Sequence, residues 1–178
     1  KPDLKGAKRL AGVKFCEATR QAITESILLD KESISCPGAQ YAFGWSNDYR
    51  NSLLDACRVK RKTTEGIVES MLSSIPHMEN SFNYIGLNTE GEPDLVMSYI
   101  VPQEAMELIR IYHERQGRNL DVSLCSMMSI CAGVAARVYL KKEVCLSFGC
   151  VDSRKFADIR RENLAIGIPN RLFNLFLD

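Results

Sequence analysis

One stretch constrains the chain more than any other: Val144-Cys-Leu-Ser-Phe-Gly149-Cys150-Val-Asp-Ser-Arg154. It reads as a short apolar strand from Val144 to Phe148, a glycine turn, a cysteine, and a helix opening on Ser153. A thiol at the end of a strand and the start of a helix lies where backbone N–H groups and the helix dipole favour a thiolate. A second cysteine has a similar setting upstream, in Ser35-Cys36-Pro37-Gly38-Ala39. Proline suits a first helical position, so Pro37 to Trp45 reads as a short helix with Cys36 at its cap. A fold with both features must interleave strands and helices.

The remaining pattern agrees. Leu10 to Phe15 reads as a first strand, and Ile27-Leu28-Leu29 and Ser33-Ile34-Ser35 as short strand pieces. Thr63 or Thr64 caps a helix whose apolar positions Ile67, Val68, Met71, Leu72 and Ile75 form one stripe, ended by Pro76. Phe82 to Leu87 and Leu95 to Val101 flank a turn containing Gly91 and predict a hairpin. Pro102 opens a helix with Ala105, Met106, Ile109 and Tyr112 on its buried face, stopped by Gly117. A strand near Leu120 to Ser123 leads to a third helix, where Met127, Ile130, Cys131, Val134, Ala135 and Val138 share a stripe. After Cys150 come a charged helix from Ser153 to Arg161, a strand Leu164 to Ile168 and an apolar helix from Pro169 to Leu177. The expectation is an α/β or α+β single domain over residues 1–178, a mixed sheet with helices packed on it, and residues 1–9 as a leading tail.

Composition excludes several classes. With 23 basic and 22 acidic side chains the net charge is +1, which argues against an electrostatically driven nucleic-acid partner. The dense basic run Arg58 to Lys62 reads as a solvated linker. No apolar run is long enough to span a bilayer and no signal peptide is evident, so neither nucleic acid nor membrane is an expected partner. Seven cysteines, odd in number and irregularly spaced, do not resemble a disulfide framework. A reducing, cytoplasmic setting is expected.

Cys36, Cys131 and Cys150 are the candidate metal ligands. Thiolates converging from separate segments suit an iron–sulfur cluster, or alternatively zinc, because soft sulfur selects both. The competing reading is plain packing, since free cysteine is among the most buried residue types. No CxxC occurs, which disfavours a compact zinc ribbon. Cys125, at the front of the third helix, is a candidate to replace or supplement Cys131, and Cys16 could complete a four-sulfur set. Cys57 and Cys145 read as packing residues. Arg154 is a candidate to bind an anionic group beside the metal, against the ordinary alternative of an ion pair with Asp152 or Asp158. Tyr41 and Trp45 read as core aromatics, and His77 and His113 as locally bonded or solvated imidazoles. HExxH, phosphate-loop and dinucleotide motifs are absent.

Ala11-Gly-Val-Lys-Phe, Ser35-Cys-Pro-Gly-Ala, Ser129-Ile-Cys131, Ser147-Phe-Gly-Cys-x-x-Ser-Arg154 and Ile166-Gly-Ile-Pro169 occur in this order. Together they resemble the archaeal and bacterial cysteine-containing proteins grouped as domain-of-unknown-function family 169, over about residues 10 to 170. The resemblance implies a cytoplasmic domain with motif cysteines at Cys36, Cys131 and Cys150 and with Arg154 alongside, and carries no reaction.

The expected function is that of a redox or sulfur-handling protein holding an iron–sulfur cluster. Three thiolates on a cubane leave one iron open for a small ligand. The alternatives are a non-catalytic accessory subunit docked on a larger redox enzyme, motivated by the apolar Leu172 to Leu177, and a metal-free thiol protein. The partner class is therefore a redox enzyme or a second copy of the chain.

Overall fold

A computed structural model of the chain describes residues 6–49, 51, 64–79, 82–125 and 130–177. Two mixed sheets and the helices packed on them give an α+β arrangement, as the interleaved pattern predicts.

The smaller sheet has the order β1-β2-β3. β1 (Lys8–Arg9) runs parallel to β2 (Ile27–Leu29), and β3 (Ile85–Leu87) is antiparallel to β2. The first strand lies earlier than expected. Gly12 takes a left-handed φ of 68° and interrupts the run, leaving only an isolated parallel bridge from Val13 to Ile34. Phe15 instead begins helix α1 (Phe15–Gln21), burying Phe15, Cys16 and Ala18. The Lys14 N–H donates to the Glu17 carboxylate at 3.4 Å, satisfying one of the free N–H groups at that helix start.

The larger sheet has the order β4-β7-β6-β5. β4 (Leu95–Ile100) and β6 (Val144–Ser147) are both antiparallel to β7 (Leu164–Pro169), while β5 (Val122–Cys125) is parallel to β6. The expected hairpin does not form, because its two strands belong to different sheets. Between them Asn88 (φ 50°) and Gly91 (φ 107°) turn the chain away, and all six residues of β4 find register on β7 instead.

One face of this sheet, including Tyr99, Cys145 and Ala165, packs into the main core with Val134 and Val138. The other face presents Ile100, Val144, Ile166 and Ile168 to α4 (Pro102–Gln116) and the C-terminal segment. On α4 the buried stripe is Ala105 and Tyr112 with Leu108 partly buried; Met106 and Ile109, expected inside, are 64% and 41% exposed. Residues at i, i+3 and i+7 suffice for a helix lying on a sheet, so the stripe is narrower than its apolar content. The same holds for α3 (Glu65–Ser74), which buries Val68 and leaves Ile67 exposed. The last apolar stretch forms α7 (Asn170–Phe173) and a 3-10 turn (Asn174–Phe176), with Phe176 stacked on Tyr112 at 6.3 Å. Much of that segment serves the protein's own second core.

The parallel pair β5 and β6 is joined by the third helix, which differs from expectation at its start. Residues Cys131–Ala136 form a π-helix, with the Ala135 N–H donating to the Ile130 carbonyl at 2.8 Å, and run on into α5 (Arg137–Lys141). Met127 and Ser129 lie outside the described residues, as do Cys57 and the Arg58 to Lys62 cluster.

Candidate functional site

Four cysteines lie at the starts of four helical segments. Cys16 is the second residue of α1, Cys36 is the N-cap of α2 (Pro37–Ala42), Cys131 opens the π-helix, and Cys150 is the N-cap of α6 (Val151–Phe156). Two pairs of these segments pack together: α1 lies against α6, and α2 against the π-helix. Cys16, Cys36 and Cys131 share the main core. Burial pushes the Cys16 thiol up to about 12, with the neighbouring Cys150 and Cys36 sulfurs adding to the rise. Burial likewise holds Cys131 well above the usual thiol range, reinforced by Cys36, Cys150 and Cys16. For both thiols burial is the larger cause and the neighbouring sulfurs the smaller one.

The turn before Cys150 is tightly specified. Gly149 has φ 87°, and a Cβ there would come 3.0 Å from Ser153 Oγ, so glycine meets both demands. The Ser153 N–H donates to Cys150 Sγ at 3.3 Å, while Ser153 Oγ–H donates to the Cys150 carbonyl at 2.9 Å. The sulfur thus takes the capping role that an oxygen commonly fills. The helix opens at Val151, with Ser153 its third residue, and ends at Phe156 instead of continuing to Arg161.

Arg154 secures this turn from outside. Its Nη1 donates to the Arg160 carbonyl at 2.8 Å and its Nη2 to the Phe148 carbonyl. The guanidinium therefore holds the backbone on either side of α6.

Cys36 is positioned by Gln40, whose side-chain amide donates to the Ile34 carbonyl at 2.7 Å and whose N–H donates to the Cys36 carbonyl at 3.0 Å. The aromatics nearby are structural. Tyr41 stacks on His77 at 4.4 Å, the His77 ring nitrogen Nδ1 bonds the Tyr41 carbonyl at 2.6 Å, and Trp45 Nε1–H donates to the Phe82 carbonyl at 2.7 Å. His113 is exposed. Cys145 is fully buried on β6, in keeping with packing. Cys125 is not on a helix: it ends β5, paired in register with Ser147.

Thr19 and Tyr99 also belong to this neighbourhood, though no motif marks them. Thr19 Oγ1 donates to the Cys16 carbonyl at 2.8 Å and bonds the Tyr99 hydroxyl at 2.8 Å. Burial pushes the Tyr99 phenol up to about 12, and Cys16 adds to the rise.

Among the described residues no group of three or more His, Cys, Asp or Glu side chains is gathered so as to hold a metal ion as it stands. Zinc sites draw sulfur to about 2.3 Å from one ion. No such gathering is present among these thiols. Among the described residues no helix is long and apolar enough to cross a membrane.

The chain is 25% identical over 165 residues to the uncharacterized protein MJ0308 of Methanocaldococcus jannaschii, covering 88% of this chain and 71% of that one. No solved structure matches it. A family model described as "Uncharacterised ArCR" matches residues 1–177. With nearly every position matched, the chain belongs to that family, domain-of-unknown-function family 169.

Proposed function

We propose that the protein is a redox or sulfur-handling protein whose working centre is an iron–sulfur cluster bound through Cys36, Cys131 and Cys150. One observation supports the reading: α2, capped by Cys36, packs on the π-helix that Cys131 opens, and the Cys131 thiol is held up by burial first and by the Cys36 and Cys150 sulfurs after it. Soft sulfur donors select iron–sulfur clusters or zinc, and a π-helical turn at Cys131 is the kind of local irregularity that accompanies functional sites. A bound cation would reverse the local electrostatics, since each coordinating thiol would release its proton to solvent and bind as the thiolate.

Anaerobic reconstitution with iron and sulfide, followed by iron, sulfide and zinc analysis and a visible spectrum, tests the reading. Matched iron and sulfide, lost in Cys36→Ser, Cys131→Ser and Cys150→Ser but kept in Cys57→Ser, is the expected result. Equal iron in all four variants overturns it. Zinc without sulfide moves the centre to a Lewis-acid or structural role.

A metal-free thiol centre is the second reading, favoured by the Ser153 N–H donated to Cys150 Sγ. A colourless protein, unchanged by reconstitution and with a fast-alkylating Cys150, would place it first.

A further inference from the structure

We propose that the outer edge of β4 is a docking site for an extended, basic polypeptide segment of a partner protein, which pairs with that edge as an added strand of the larger sheet. None of the cysteines takes part, so this surface is independent of the cluster reading above.

β4 ends the order β4-β7-β6-β5, so its one sheet neighbour is β7. In an antiparallel ladder alternate residues turn their N–H and C=O groups away from the partner strand. Among the described residues, Leu95 to Ile100 find no backbone partner beyond β7. Leu95 to Tyr99 are half-buried or exposed, whereas Ala165 to Pro169 of β7 are buried. Edge strands are commonly protected by a lysine, a proline or a bulge. Leu95-Val-Met-Ser-Tyr-Ile100 has neither charge nor proline, and it pairs residue for residue with β7, without a bulge. Such an edge is a template for another strand.

Charge selects the partner. Residues 63–109 contain eight acidic side chains and no lysine or arginine, in a chain whose net charge is +1. Five of the eight flank the strand, all exposed: Glu90, Glu92 and Asp94 before it, Glu104 and Glu107 after it. Arg110 pairs with Glu107 and Glu114, which offsets one charge and leaves the rest. A groove of about 380 Å³ adjoins the strand, lined by Val96, Ser98 and Ile100, by Glu104 and Glu107 of α4, and by Phe176. Alternate side chains of an added strand fall on that face. Apolar ones meet Val96, Ile100 and Phe176, and basic ones meet the two carboxylates. The backbone pairing holds the segment, and the acidic surround decides which segments are accepted.

The test uses the full chain and a synthetic probe, an end-capped peptide in which valine alternates with lysine. Binding is read by fluorescence anisotropy of the labelled peptide, and its place by hydrogen exchange. In the free chain alternate amides of β4 should exchange quickly, and saturating probe should slow them. Methylating every peptide nitrogen keeps the charge and removes the donors, and should weaken binding about tenfold or more. Ser98→Lys sets a like charge at the exposed groove and should weaken it by a similar factor, while Ser98→Thr should not. Unchanged exchange of β7 amides shows that Ser98→Lys remains folded. The peptide with glutamate in place of lysine should not bind. Equal binding by the methylated or the glutamate peptide, full binding by Ser98→Lys, or β4 amides left unprotected by the probe overturns the proposal. Slow exchange of every β4 amide in the free chain, with a dimer by light scattering, puts a second copy on this edge and overturns it too. The peptide comparisons use only wild-type protein, so they decide the matter even if Ser98→Lys fails to fold.

Discussion

Gly167 on β7 and Val134 in the π-helix meet with no space between them: a Cβ built on the glycine would lie 2.5 Å from Val134 Cγ1 and 2.8 Å from Val138 Cγ2. The helix that begins at Cys131 is thereby pressed onto the centre of the larger sheet. Gly167→Ala should destabilise the fold by about 1–3 kcal/mol through overpacking. Urea denaturation checks this, and Val134→Ala combined with Gly167→Ala should recover part of the loss. A neutral Gly167→Ala would mean that the helix can retreat from the strand.

The Tyr99 phenol gives the metal-free protein a dependence on alkaline pH. Its folded value of about 12 lies above the usual value of 10. The folded state therefore favours the protonated phenol. That contribution is fully present below pH about 10 and is lost as pH rises toward 12, because the unfolded chain releases the proton first. Tyr99→Phe should lack this component. Denaturant midpoints of the two proteins, measured across that window, should converge at the alkaline end.

Thiol alkylation should discriminate among the cysteines. In metal-free protein Cys150, half-buried beside the exposed Phe148 and Val151, should react before Cys16, which is buried and held as the thiol to about pH 12. Only the thiolate attacks. Peptide mapping after brief iodoacetamide treatment at neutral pH reads the order. Equal labelling of Cys16 and Cys150 would contradict the buried placement of α1.

Arg154 should act as a clamp. Arg154→Ala removes donors to the Phe148 and Arg160 carbonyls, with an expected loss of about 1–3 kcal/mol and faster alkylation of Cys150. Arg154→Lys should rescue little of this, since one ammonium lacks the planar fork that reaches two carbonyls. Full rescue by lysine would favour a role for charge alone.

The legible parts of the fold were those with local causes. Pro37 after Cys36, Pro102 at the start of α4, Gly117 at its end and Gly149 before Cys150 each act within a few residues; α4 lies where they place it, while α2 and α6 end at Ala42 and Phe156, short of the expected Trp45 and Arg161. Partner choice is a different kind of information. Nothing within residues 82–101 says that β3 pairs with β2 while β4 pairs with β7, since register depends on which strand offers a matching face. The π-helix at Cys131 was equally hidden: Cys-Ala-Gly-Val-Ala-Ala reads as ordinary helix, and the widened turn is a tertiary outcome. Of the candidate sites, the motif cysteines were visible because glycine, proline and helix starts surround them. Cys16 carries no such punctuation, and Cys125 was placed on a helix because its strand continues past the apolar run that marks it.

The sulfurs proposed to hold the cluster stand at positions 36, 131 and 150, so a long stretch of sequence separates the first from the other two. If a cluster joins them as proposed, it cross-links segments remote in sequence, and its binding energy adds to stability only once the chain has folded. A polypeptide tied in this way would lack a complete ligand set during synthesis until α6, which follows the other cysteine-bearing segments, has emerged. Its survival against proteolysis would then follow the supply of the bridging metal, making cellular abundance itself a gauge of that supply.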